Sequence, residues 1–133
     1  MQTARFNSVL ENTINNCTNV LGFKAGEYAT EDRLHNFKVA ANIQNCTPIT
    51  ALAGMMAKHT VSVYDLIQRH EQGEAIALDL WSEKITDSIN YLLLLSALIQ
   101  EHLDEQTSSQ MEWDFSEPKC PTLKKENEEN ESL

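Results

Sequence analysis

The fold of this chain is decided by one stretch, residues 80–95, which reads LWSEKITDSINYLLLL. In a single helix, Glu83, Asp87 and Asn90 follow one another at steps of four and three residues and therefore lie on one face. The turns that follow are apolar on nearly every side, so this polar face begins where a buried helix starts. Carboxylates in such a position are costly unless they meet a cation or hydrogen-bond donors. The pattern therefore indicates a divalent metal, a phosphate-bearing ligand, or both.

The rest of the folded body is predicted to be helical as well. Apolar residues recur at three- and four-residue steps, and no run alternates apolar and polar residues between turn residues, as a strand would. The clearest boundary is Thr47-Pro48, a helix cap followed by proline at the first helical position, and Gly73 ends the helix opened there. Thr30-Glu31-Asp32 indicates another helix start. The predicted helices span residues 3–29, 31–44, 48 to 71 or 72, and 79 to 102 or 103.

Composition divides the chain into a body and a tail. The 133 residues suffice for one domain, and nearly all the periodic apolar pattern lies in residues 1–104. Residues 105–133 hold eight acidic residues against three lysines, and such a composition cannot bury enough apolar surface to become ordered. We therefore predict an all-α domain over residues 1–104, a bundle of three long helices and one short helix, followed by a disordered acidic tail over residues 105–133.

Charge and hydropathy limit the partners and the location. A formal net charge of −10 argues against non-specific binding to nucleic acid or to anionic membranes. No stretch approaches the ~20 apolar residues that a membrane span needs. The first nine residues lack the apolar core of a secretory signal, and the three cysteines have no metal-type spacing. Together these features predict a cytoplasmic protein with reduced thiols.

The apolar run in the last helix indicates self-association. Between Leu92 and Ile99 the only polar side chain is the hydroxyl of Ser96. A helix that is apolar all round must be covered all round, and the other helices of one chain can cover about two of its sides. The remaining side is expected to face another copy of the chain, which predicts a homodimer with two-fold symmetry or a higher homo-oligomer.

Acidic side chains at the edges of the apolar stripes are the candidate metal ligands. Glu27 lies near the end of the first helix, Asp65 midway along the third, and Glu83 with Asp87 near the start of the last. In an antiparallel bundle, Glu27 could approach Glu83 and Asp87. Two or three such oxygen ligands suit Mg²⁺ or Mn²⁺, which can polarise a phosphoryl oxygen and activate a bound water.

Cationic and aromatic side chains near these acids indicate a nucleotide. Lys24, Arg33, Lys58 and Lys84 provide charges for phosphate oxygens. Flat faces for a base are offered by Tyr28, Phe37, Trp81 and Tyr91.

Simpler explanations exist for each of these residues taken singly. Glu83 and Lys84 are typical of a solvated helix start, and Asp87 has lysines nearby with which to pair. Phe37 and Trp81 are of types more often found in a core than against a base. His59 lies on an apolar stripe, as a hydrogen-bonded core histidine does. The remaining histidines read as surface residues: His35, His70 and His102.

The order of these residues carries a family resemblance. Lys24-x-x-Glu27-Tyr28 is followed by Asn36-Phe37, Lys58-His59 and Glu83-Lys84-x-x-Asp87-x-x-Asn90-Tyr91. This order resembles small phage proteins of the nucleotide-modification-associated domain family, which are similar to the MazG-like all-α NTP pyrophosphohydrolases. The resemblance spans residues 24–95. It implies a dimeric helical bundle that holds Mg²⁺ for hydrolysis between the α- and β-phosphates, in a host cytoplasm if the chain is phage-encoded.

The resemblance also implies roles for individual residues. Glu27, Glu83 and Asp87 would hold the metal, with Asp65 as a further candidate, and Glu27, Lys58 and Lys84 would be catalytic. The expected nucleotide-binding residues are Lys24, Tyr28, Arg33, Asn36, Phe37, His59, Trp81, Asn90 and Tyr91.

The sequence departs from the family pattern in two places. The helix from Pro48 has no ExxE motif, and the second acidic motif, Glu83-x-x-x-Asp87, is one residue wider than ExxD. We therefore expect a Mg²⁺-dependent nucleotide-binding protein of the (d)NTP pyrophosphohydrolase type and leave two alternatives open. One is a non-catalytic phage sponge that sequesters a nucleotide or cyclic nucleotide immune signal. The other is an acidic DNA mimic or host-factor inhibitor.

Overall fold

A computed structural model describes residues 1–27 and 31–114, with side chains described as far as residue 109. All regular secondary structure in these residues is helical, as predicted. The helices are α1 (Thr3–Glu27), α2 (His35–Gln44), α3 (Pro48–Glu71) and α4 (Leu78–Asp114). Within this part of the chain, no helix is long and apolar enough to cross a membrane.

The centre of the fold is an antiparallel pair formed by α3 and α4. His70 lies edge-on to Trp81 at one end, and Leu52 packs with Leu98 at the other. The short helix α2 closes this pair through Leu34 and Phe37, which join the same apolar cluster. A second cluster is built from small side chains, Ala40 and Ala41 of α2 with Ala51 of α3. Their size lets the two helix backbones approach closely.

Helix α1 lies beside α4 and runs in the same direction. Asn16 Nδ2 donates to Ser82 Oγ at 3.4 Å, and Cys17 is buried against Thr86, whose hydroxyl hydrogen-bonds the thiol. Burial raises the pKa of the Cys17 thiol, and the Thr86 hydrogen bond offsets part of that rise. Because the two helices are parallel, the last third of α1 lies beside the middle of α4.

Two predicted helix boundaries agree with the structure. The Thr47 side chain accepts a hydrogen bond from the backbone N–H of Thr50 at 3.2 Å, so it caps α3 as expected. Gly73 has φ of +87°, a left-handed conformation that favours glycine, and it follows Gln72, the C-cap residue of α3.

The second helix begins later than predicted, at His35 rather than near Glu31. Asp32 Oδ1 accepts from the backbone N–H of Leu34 at 2.9 Å, which closes a turn where the first helical turn was expected. The other carboxylate oxygen of Asp32 contacts Lys38 Nζ at 2.9 Å, and Lys38 also reaches Glu101 of α4 at 2.8 Å. Lys38 therefore lowers the pKa of Asp32 and ties the turn to α4. The predicted start at Thr30 lies outside the described residues.

Helix α4 ends later than predicted and includes residues 105–114, which were expected to be disordered. The chain has no glycine or proline between Gly73 and Pro118 to stop it. Thr107, Ser108 and Ser109 each donate a hydroxyl hydrogen bond to the carbonyl four residues earlier, which helices accommodate. The predicted domain boundary at residue 104 therefore falls inside a continuous helix. The rest of the predicted tail, residues 115–133, lies outside the described residues.

Candidate functional site

A cavity of about 520 Å³, here called the central cavity, lies between α1, α2 and α4. Seven residues predicted from the sequence line it together: Lys24, Arg33, Asn36, Phe37, Asp87, Asn90 and Tyr91. They come from three helices and the turn before α2. The remaining wall is mostly aliphatic, with Val20, Leu21 and Leu94 among its members.

Asn90 is the most unusual residue of the central cavity. Its side chain is about 95% buried, since its relative exposure is 5%. Neither Nδ2 nor Oδ1 has a hydrogen-bond partner among the described residues. A buried amide without partners costs about 1–3 kcal/mol. Asn90 therefore has an unpaired hydrogen-bond donor, Nδ2, and an unpaired acceptor, Oδ1, and it lines the central cavity.

Positive charge is supplied from two sides of the central cavity. Lys24 reaches it from the last turn of α1. Arg33 comes from the turn before α2, where its Nη2 donates to the carbonyl of Leu21 at 2.8 Å. This bond fixes the guanidinium next to α1 and leaves its other N–H groups available. His35 is exposed, as predicted, and also lines the cavity.

His35 could have been found from the helical spacing of α2. His35, Val39 and Ile43 follow one another at four-residue steps, and all three line the central cavity. This face of α2 combines a histidine with two aliphatic residues, so it does not form a continuous apolar stripe that the sequence pattern would reveal.

Behind the cavity wall, Asp87 is paired with His59. His59 Nδ1 lies 3.4 Å from Asp87 Oδ2, and its ring lies 4.6 Å from the Tyr91 ring between centroids. Burial lowers the pKa of His59, and the Asp87 charge offsets part of that decrease. His59 therefore lies between Asp87 and Tyr91, and the Tyr91 ring also meets Phe37 edge-on at 6.4 Å between centroids.

A second, smaller cavity of about 290 Å³, the lateral cavity, lies where α1 crosses the start of α4. Asp79, Glu83 and Asp87 line it at four-residue steps, opposite Asn16 and Asn19. Asp87 therefore lies in the wall that the two cavities share. Glu83 is mostly exposed and pairs with Lys84 at 2.6 Å, and this pairing raises the pKa of Lys84.

The structure does not bring Glu27 to the level of Glu83. Asn16 is level with Ser82, and because α1 and α4 run in the same direction, Glu27 lies about 15 Å further along the axes than Glu83 at 1.5 Å per residue. Among the described residues, no group of three or more His, Cys, Asp or Glu side chains is arranged to hold a metal ion.

Several other predicted residues lie outside the central cavity. Lys58 and Asp65 are exposed on α3, Trp81 packs against His70, and Lys84 remains with Glu83. Tyr28 lies outside the described residues.

Comparison of the chain with protein-family models, with curated proteins and with solved structures finds no match.

Proposed function

We propose that this protein binds a nucleotide, or a similar phosphorylated aromatic ligand, in the central cavity. The deciding observation is the Asn90 amide, which is buried at the cavity wall with its donor and acceptor both unpaired. Protein atoms cover both of them, so a small rotation of the Asn90 side chain toward the cavity would let a ligand with a donor and an acceptor on one edge satisfy both. The edges of nucleobases have this arrangement.

The rest of the central cavity suits the other parts of such a ligand. Lys24 and Arg33 provide positive charge for phosphate oxygens, and His35 provides a further N–H donor. Phe37 and Tyr91 provide aromatic surface for a base. A volume of about 520 Å³ lies within the usual range for small-molecule sites, roughly 300–1,000 Å³.

Hydrolysis of the bound nucleotide is a second candidate function, and one observation favours it. Asp87 lies in the wall shared with the lateral cavity, where Asp79 and Glu83 add two carboxylates. Mg²⁺ held by Asp87 and Glu83 would lie beside the phosphates and could activate a water for pyrophosphate release. Binding without turnover remains the first proposal because, among the described residues, no group of three or more His, Cys, Asp or Glu side chains is arranged to hold a metal ion.

A calorimetric and thermal-shift screen tests the binding proposal. The ligands are the eight common (d)NTPs and a set of cyclic nucleotides, each with Mg²⁺ and with EDTA. A ligand that binds only the folded protein raises its Tm. We expect at least one nucleotide to do so, Lys24→Gln to weaken its binding about tenfold, and Arg5→Gln, at an exposed cation before the cavity, to leave it unchanged. The absence of any nucleotide-dependent shift would refute the proposal.

Replacing Asn90 provides an independent test of the same site. In Asn90→Leu an apolar side chain of similar size takes the place of an unpaired amide, so we expect the free energy of unfolding to rise by about 1 kcal/mol while nucleotide binding is lost. Urea unfolding measures the first effect and calorimetry the second. Thr86→Val is the matched control, because Thr86 is equally buried but has a partner in Cys17, and its loss should destabilise the fold.

Turnover is tested by measuring pyrophosphate release from the nucleotide that binds. If the enzymatic function is correct, Glu83→Gln combined with Asp87→Asn abolishes Mg²⁺-dependent release and leaves the protein folded. Binding by the wild type without any product would exclude hydrolysis and leave the binding proposal intact.

A further inference from the structure

The outward face of α4 carries a regular apolar stripe that the fold leaves uncovered. The residues of this stripe follow one another at alternating steps of four and three residues, which is the spacing of a coiled-coil contact face. We call them the outer stripe: Ile85, Ile89, Leu92, Ser96, Ile99 and Leu103. Four of them are large and exposed, with relative exposures of 40% for Ile85, 57% for Leu92, 44% for Ile99 and 50% for Leu103.

The outer stripe lies opposite the face by which α4 packs in its own chain. At 100° per residue, Leu94 projects about 180° away from Ile85, and Leu94 joins the core cluster and lines the central cavity. Helices α1 and α3 occupy that inner side through contacts such as Thr86 with Cys17 and Leu98 with Leu52. Within residues 1–27 and 31–109, the chain therefore leaves most of the stripe uncovered, with Ile89 partly buried.

Charge distinguishes this face from the rest of an acidic chain. The whole protein has a formal charge of −10, yet residues 88–100 contain no Asp, Glu, Lys or Arg. An uncharged face on a protein that otherwise repels its own copies removes the main obstacle to self-association. The segment after residue 114 is a poor alternative cover, since it is dominated by Glu, Asn, Lys and Ser.

We propose that two copies of this chain pair through the outer stripe, with their α4 helices antiparallel. An apolar stripe with alternating steps of four and three residues packs well against a second helix that has the same spacing. The α4 helix of another copy of the chain is such a helix. A two-fold axis places the same patch on both sides of such an interface. With the axis near residue 94, Ile85 packs against the partner's Leu103 and Ile89 against the partner's Ile99.

The antiparallel orientation follows from the acids at one end of the stripe. Glu101, Asp104 and Glu105 lie just beside or beyond its last members. Parallel pairing would place these acids next to their own copies. Antiparallel pairing about residue 94 instead separates the two Asp104 residues by about 30 Å along the axis, well beyond the screening length of about 8–10 Å. The central cavity lies on the inner side of α4 and remains open, so this inference does not depend on the proposed function.

Sedimentation equilibrium of the full chain tests the dimer. The wild type is expected at twice the 15.1 kDa chain mass. Leu92→Glu combined with Ile99→Glu should halve that mass without changing the helical circular dichroism, because both side chains are exposed in the single chain. Val61→Glu is the matched control, since Val61 on α3 is also 57% exposed but lies outside the stripe, and it should remain dimeric. A single-chain mass for the wild type, or an unchanged mass for the double variant, overturns the proposal.

Cysteine cross-linking tests the orientation. With Cys46 and Cys120 replaced by serine, Ile85→Cys and Leu103→Cys chains are prepared separately, one with a size tag, and then exchanged and oxidised. Antiparallel pairing gives a disulfide only in the mixture, between the two kinds of chain. Cross-linking of either variant with itself would show parallel pairing and overturn the proposed arrangement.

Discussion

At the residue scale, hydrogen-bond pairing distinguishes Asn90 from the polar side chains next to it on α4. Thr86 is as buried as Asn90, but its hydroxyl is used by Cys17. Asp87 is half-buried and has His59 as a partner. Only the Asn90 amide is left unpaired among these three neighbours on α4, and it lines the central cavity. Because unpaired buried amides are destabilising, a ligand is the simplest reason to retain one.

His59 gives a prediction for the pH dependence of stability. Burial lowers its pKa below the ordinary value of 6.5, so below that pH the unfolded chain binds more protons than the folded one. The free energy of unfolding should therefore fall as the pH decreases from 6.5 to the lowered pKa, by up to about 1.4 kcal/mol per pH unit from this group.

Urea unfolding across this pH range measures the effect. His59→Gln keeps a donor for Asp87 but cannot titrate, so the decline should become smaller. His102→Gln, at an exposed histidine on α4, should follow the wild type. An unchanged slope in His59→Gln would show that the His59 pKa is not lowered by folding.

At the element scale, the helix starts differ in how firmly local sequence determines them. Thr47-Pro48 begins α3 where predicted because the cap uses neighbouring atoms only: Thr47 Oγ1 and the Thr50 N–H. The start of α2 instead follows a turn in which Asp32 accepts from the Leu34 N–H, and Lys38 joins Asp32 to Glu101 of α4. The contact between Lys38 and Glu101 joins residues far apart in sequence, so no local signal could have indicated that part of the arrangement.

The cap of α3 provides a test at this scale. Thr47→Ala removes the acceptor for the Thr50 N–H and should lower the free energy of unfolding by about 1 kcal/mol, as measured in urea. Thr47→Ser retains the hydroxyl and should stay within a few tenths of a kcal/mol of the wild type. Equal destabilisation by both substitutions would mean that the methyl group of Thr47 matters and the cap does not.

At the scale of the whole molecule, the body and the C-terminal segment can be assigned separate roles. The central cavity is formed by residues 20–94, well before the end of α4. A chain that ends at Ser109 should therefore bind the same nucleotide with affinity within about twofold of the full chain. Calorimetry of the two chains side by side measures this. Loss of binding on truncation would favour the alternative in which the acidic segment carries the interaction.

The sequence by itself determined the helical class and the boundaries at Thr47-Pro48 and Gly73. Seven of the residues that it singled out line the central cavity, and their binding of a ligand remains a prediction. These follow from local rules, namely apolar periodicity, capping and the chemistry of polar residues at the edges of apolar stripes. The tertiary structure decided that α1 runs parallel to α4, which places Lys24 beside Asn90 and Glu27 beyond it. It also decided that Asn90 is left unpaired and that α4 continues past residue 104. Helix direction and side-chain pairing depend on contacts between distant residues, and periodicity along one helix contains no information about them.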